Sequence, residues 1–130
     1  MNYGDNMLHR KVTEKNTIWN RFIQEVTNRN FETLSTIQKN AVLCFHYDTE
    51  MNSGGHSCFF ENYPETPVKD LISALTAVSR KEIADNFHDA LVSCHCDDYK
   101  ETDTVFYNFS PSLSDCLREY IERNKDNIFS

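Results

Sequence analysis

The chain has 130 residues, of which 39% are apolar and 25% charged, with nine Phe, six Tyr and one Trp; these proportions suit a folded soluble domain and exclude a wholly disordered one. A chain of this length buries roughly two thirds of the surface its unfolded form exposes, so it folds without staples. The net charge of −7 argues against direct contact with nucleic acid or an anionic membrane and favours a basic partner, because charges of one sign sum over a surface.

Met1 to Val12 carries Asp5, His9, Arg10 and Lys11 and lacks the run of roughly 7–15 apolar residues that a secretory signal needs. The longest apolar run, Ala41 to Phe45, is far short of the roughly 20 residues of a membrane-spanning helix. A cytoplasmic protein is expected, and its five cysteines (Cys44, Cys58, Cys94, Cys96 and Cys116) are read as free thiols. Residues 1–15 show no apolar periodicity and are expected to form a loose N-terminal arm, with residues 16–130 as a single helical domain.

Ile18, Trp19, Phe22, Ile23 and Val26 recur at helical spacing behind Asn16 or Thr17 as a cap. Leu34, Ile37, Ala41, Val42, Phe45 and Met51 form the stripe of a second, long helix that runs into Gly54 and Gly55; glycine supplies the left-handed conformation with which helices end. A short aromatic segment, Cys58 to Tyr63, follows and closes at Pro64. Thr66-Pro67 reads as a cap and first-turn pair ahead of Val68, Leu71, Ile72, Leu75 and Val78. Ser79-Arg80-Lys81-Glu82 has the form of a capping box before Ile83, Phe87, Ala90 and Leu91. Ser110-Pro111 is a further start signal, for a last helix marked by Leu113, Leu117, Tyr120 and Ile121, while Val105 to Phe109 reads equally as helix or extended chain. The expectation is an all-α fold of five or six helices.

Charge is unevenly spread. Residues 1–40 carry +2 and residues 41–130 carry −9, and the densest acidic stretch sets Asp85, Asp89, Asp97, Asp98, Glu101 and Asp103 against Lys100 alone. These six carboxylates are the candidate partner-binding residues, since acidic side chains are normally exposed.

Cys and His fall in pairs: Cys44 with His46, His56 with Cys58, and His88 ahead of Cys94-His95-Cys96. The inventory would serve a tetrahedral zinc, but ligands two residues apart on a helix point to different faces, so no metal is expected. Cys58 beside His56 is the best placed nucleophile, yet no oxyanion-hole, Walker, dinucleotide or H-E-x-x-H signature accompanies it. The chain reads as a non-enzyme without cofactor.

Thr49 to Asn62 resembles the Asn-Gly-Gly-Phe-x-x-aromatic-Phe-x-Asn core of a family of small, acidic, helical bacterial domains known for a DNA mimic protein, with Ser53 in place of an Asn and His56 in place of a Phe. Asp103-x-x-Phe106-Tyr107 and the closing Leu117-x-x-Tyr120-Ile121-x-x-Asn124 resemble the family's C-terminal pattern. The resemblance implies a helical, often dimeric fold in which Asn52, Gly54, Gly55, Phe59, Phe60 and Asn62 are structural: the glycines for the turn, the two Phe for the core, Asn62 as a cap or buried hydrogen bond. It also implies that the acidic surface stands in for DNA before a DNA-binding protein such as a transcriptional regulator. Duplex DNA as long as such a domain, about 36 Å, carries about 21 charges, so a net −7 must be concentrated on one face or doubled in a homodimer. Two other expectations stay open: an immunity-type protein neutralising a basic toxin or nuclease, and an enzyme or metal protein built on Cys58 with His56 or on Cys94, His95 and Cys96.

Overall fold

Apolar residues spaced three and four apart can be buried together only by winding the chain into helices. The computed structural model describes residues 16–93 and 97–130, and among these it contains helices and turns but no strand. Helix α1 covers residues 16–26; its second half, Phe22–Val26, is wound as a π-helix and buries Phe22 and Val26. The helix is already under way at residue 16, so Asn16 and Thr17 lie within it and neither is its cap. The expected arm, residues 1–15, lies outside the described residues.

A single turn of 3₁₀-helix, Phe31–Thr33, leads to the central helix α2, Thr36–Gly54. A capping box opens α2. Ser35 Oγ accepts from the Gln38 amide at 3.2 Å, and Gln38 Oε1 accepts from the Ser35 amide at 2.9 Å, satisfying two donors that a helix start leaves orphaned. The same buried Gln38 donates through Nε2 to the Ile128 carbonyl at 2.8 Å, tying the start of α2 to the end of the chain. Helix α2 ends at Gly55, which has φ +83° and ψ −165°, a conformation that side chains rarely tolerate.

The aromatic segment that follows is itself a helix, α3, His56–Asn62. Helices α4, Val68–Val78, and α5, Lys81–Ser93, come next, then α6, Lys100–Tyr107, α7, Leu113–Arg123, and the short α8, Lys125–Ile128. The all-α class holds, with more helices than the five or six expected, because the aromatic segment and Val105–Tyr107 are helical and the last stretch is broken in two at Asn124.

Three start signals act differently from their sequence reading. Pro67, not Thr66, takes the cap position of α4. Ser79 Oγ turns back to the Leu75 carbonyl at 2.6 Å and closes α4, and the Arg80 carbonyl accepts the first bond of α5. Helix α7 is capped by Ser112, whose Oγ accepts from the Asp115 amide at 3.1 Å, immediately after the Ser110-Pro111 pair.

Helix α2 packs on α3, α4, α7 and α8, and α5 rests on α4 and α6. The core centres on Tyr47 of α2, fully buried, with the rings of Phe59, Phe87 and Phe106 edge-on to it at 5.1, 5.4 and 5.7 Å. Each such pair adds about 0.5–1.5 kcal/mol beyond simple burial. Tyr47 thereby draws α2, α3, α5 and α6 together.

Candidate interaction groove and the buried network behind it

Glu82, Asp85, Asp89 and Val92 recur at steps of three and four along α5, which sets them on one helix face. Asp97, Glu101, Val105 and Phe109 recur at steps of four along α6 and its flanks. The two rows meet across a groove of about 710 Å³, lined also by Asn86, Ser93 and Thr102. Buried Asn86 fastens the floor, donating to the Thr102 carbonyl at 3.2 Å.

Among the described residues, five carboxylates and no Lys or Arg line this groove. Two are paired with cations on its outer edge: Asp85 with Lys81 at 2.9 Å and Glu82 with Arg80 at 4.0 Å. Asp97 Oδ2 accepts the Glu101 amide at 3.0 Å, which anchors the first turn of α6 and leaves the rest of that carboxylate to solvent. Apolar surface lies among the charges, with Val92 71% exposed and Val105 43%. From Glu82 to Val92 the groove follows about 15 Å of helix; duplex DNA of that length carries about nine charges. Three of the five carboxylates lack a cation partner on this face among the described residues, about a third of the DNA density and the same share as the whole-chain charge.

Of the six acidic residues singled out from the sequence, Asp85, Asp89, Asp97 and Glu101 are brought together here. Glu82 joins them unforeseen, although its phase relative to Asp85 and Asp89 was readable. Asp98 is exposed but does not line the groove. Asp103 is a correction, because it faces inward. Its Oδ1 accepts from the His56 backbone amide at 2.9 Å and lies 2.7 Å from His56 Nδ1, while His56 Nε2 lies 2.6 Å from the Tyr47 hydroxyl. A carboxylate only accepts, so Nδ1 carries the proton and Nε2 accepts from Tyr47 when the imidazole is neutral. The signal for this inward role was Asp103's place in the Asp-x-x-Phe-Tyr pattern.

His56 is fully buried, and burial holds its pKa below the ordinary 6.5 against the upward pull of Asp103. Burial also raises the Tyr47 hydroxyl well above its ordinary range, with Asp103 adding to the effect. Tyr107 donates its hydroxyl to the Met51 carbonyl, a second polar tie between α6 and α2. Both His56 ring nitrogens are engaged, one by Tyr47 and the other by Asp103. Elsewhere on α2, burial lifts Asp48 from 3.8 to about 6, resisted by the Asn52 amide and Arg118.

Within the glycine motif, Gly55 makes the turn, Phe59 is core and Phe60 is half-buried. Asn62 is exposed and donates to Glu50 Oε2 at 2.8 Å, so it is neither a cap nor a buried bond. Asn52 donates to the Asp48 carbonyl at 2.9 Å. Among the described residues no three His, Cys, Asp or Glu side chains gather as a metal site; Cys94, His95 and Cys96 lie outside those residues. No helix among them is long and apolar enough to cross a membrane.

A family model described as DMP19-like protein matches residues 32–127, most of the chain. The chain belongs to this DMP19-like family. Both walls of the groove, the Gly55 turn and the Tyr47–His56–Asp103 network fall within the matched span. Comparison with curated proteins and with solved structures finds no match.

Proposed function

We propose that this protein is an acidic interaction module that presents the α5–α6 groove to a basic surface of a DNA-binding protein, in place of DNA. The observation that carries this reading is the gathering of Glu82, Asp85, Asp89, Asp97 and Glu101 onto one groove whose lining, among the described residues, has no Lys or Arg. Membership of the DMP19-like family supports it. Exposed carboxylates of this kind steer a cationic partner and set its association rate, while Val92 and Val105 offer apolar area that a purely solvating surface would not need.

The test compares wild type with a variant carrying Asp85→Asn, Asp89→Asn, Asp97→Asn and Glu101→Gln against a basic DNA-binding protein that co-purifies with a tagged copy. The variant should keep its helical circular dichroism, associate more slowly, and show a flatter dependence on ionic strength. Duplex DNA should displace the wild type from that partner. Equal salt slopes, or a complex indifferent to competing DNA, refute the reading.

A further inference from the structure

A cleft of about 430 Å³ lies where the Phe31–Thr33 turn, α2, α3 and the loop from α3 to α4 meet. It shares no lining residue with the acidic groove. Its size falls within the roughly 300–1,000 Å³ of small-molecule sites. Such sites are walled mainly by apolar and aromatic side chains with a few polar groups that fix orientation, and four residues of this lining carry rings: Phe31, His46, Phe59 and Tyr63.

The walls are held by the fold itself. The Tyr63 ring lies 5.1 Å from the His46 ring, inclined by 27°, and 5.7 Å from the Phe59 ring, inclined by 14°. Its hydroxyl is 3.1 Å from His46 Nδ1. Asn62, the last residue of α3, donates to Glu50 Oε2 at 2.8 Å and so ties that end of α3 to α2. The Thr66 amide donates to the Tyr63 carbonyl at 3.3 Å, closing a turn in which Pro64 is the second residue, and Pro67 takes the cap position of α4. Proline fixes φ at both places, so the loop has little freedom left to lose when a ligand arrives.

Charge selects among possible ligands. Glu65 is exposed and is the one acidic side chain on the wall, and among the described residues no Lys or Arg joins the lining. Burial holds the His46 imidazole below its ordinary 6.5 against the pull of Glu50, so His46 does not offset that negative charge at neutral pH. Lys39 stands outside the lining with its ammonium 5.3 Å from the centre of the Phe31 ring, an instance of the attraction between a cation and a ring face. An anion would meet the Glu65 carboxylate, and a neutral ring would leave it unused. A ring joined to an ammonium group uses both parts of the wall.

We propose that this cleft binds a small arylalkylamine, with its aromatic ring against the ring-lined wall and its ammonium group held by Glu65. Phenethylamine, phenethyl alcohol and phenylpropionate carry the same ring on a short chain and differ in charge, positive, neutral and negative. Each is titrated into the full chain at neutral pH and followed by amide chemical shifts. Phenethylamine should shift Leu43, His46 and Thr66 with a Kd on the order of 1 mM. Phenethyl alcohol should bind about fivefold more weakly, the upper range for an exposed ion pair, and phenylpropionate more weakly still. Glu65→Gln should weaken the amine about fivefold and leave the alcohol unchanged, since the ring makes no use of that charge. Equal affinities for amine and alcohol in the wild type overturn the proposal, as does an unchanged amine affinity in Glu65→Gln. Shifts confined to α5 and α6 would show the acidic groove merely collecting cations and also overturn it, as would the lack of a saturable shift up to about 20 mM amine.

Discussion

Gly55→Ala is the substitution from which the geometry extracts the largest penalty. The backbone at Gly55, φ +83° and ψ −165°, lies in a region essentially reserved for glycine and costs other residues about 1–3 kcal/mol. A Cβ there would stand 2.2 Å from Asp103 Oδ2 and 2.7 Å from its Cγ, so the carboxylate must move. Asp103 is not free to move without loss, since its other oxygen holds the His56 amide and ring at 2.9 and 2.7 Å; hydrogen bonds to a charged group contribute about 1.5–3 kcal/mol. Together these predict a loss of about 3–5 kcal/mol, or a fall in Tm of roughly 12–20 °C for a chain of this size. Gly54 is the control. Its Cβ would meet Cys58 Sγ at 2.5 Å, the end of a side chain that can rotate, and Gly54 is within helix α2, where Ala is favoured over Gly by up to about 1 kcal/mol. Thermal and urea melts followed by circular dichroism should place Gly54→Ala within about 1 kcal/mol of wild type. Adding Asp103→Ala to Gly55→Ala should relieve the collision, so the pair should be less destabilising than the sum of the singles by about 1.5–3 kcal/mol. Strict additivity, or a Gly55→Ala protein as stable as Gly54→Ala, would show that Asp103 does not crowd the turn.

Three further outcomes are expected. Asp48 is lifted from 3.8 to about 6 by burial, so its charged form is penalised above about pH 6 and the wild type loses stability as pH rises through that value; Asp48→Asn should therefore be more stable at about pH 8, by at most about 3 kcal/mol. That advantage should shrink towards pH 4.5 in urea melts, and an advantage of the same size at both pH values would contradict the assignment. Ser35→Ala removes the Oγ that accepts from Gln38 and should cost about 0.5–2 kcal/mol in the same assay. The fourfold groove variant should melt within about 1 kcal/mol of wild type, since surface substitutions away from packing contacts have small effects; a larger loss would mean that these carboxylates hold the fold rather than a partner.

Local periodicity is a property of neighbouring residues, and it revealed the helical class, the stripe of α2 through Met51 and the glycine turn at its end. The Ser35-x-x-Gln38 box is equally local, both partners lying within one turn of the start of α2. The observed starts at Pro67, Arg80 and Ser112 lie within two residues of the expected ones, since several consecutive capping residues compete and packing selects among them. The acidic stretch was visible as composition, and its division was not. Asp85, Asp89, Asp97 and Glu101 face a common groove, whereas Asp103, drawn from the same run of charge, is bound to an imidazole 47 positions away in sequence. Helix phase along α5 was legible in the chain itself, whereas Val105 to Phe109 reads equally as helix or extended chain. Only tertiary packing decided which carboxylates meet solvent and which are turned inward, because that depends on where α3 brings His56, and a buried donor–acceptor pair is stable only when both partners have been carried to the same place.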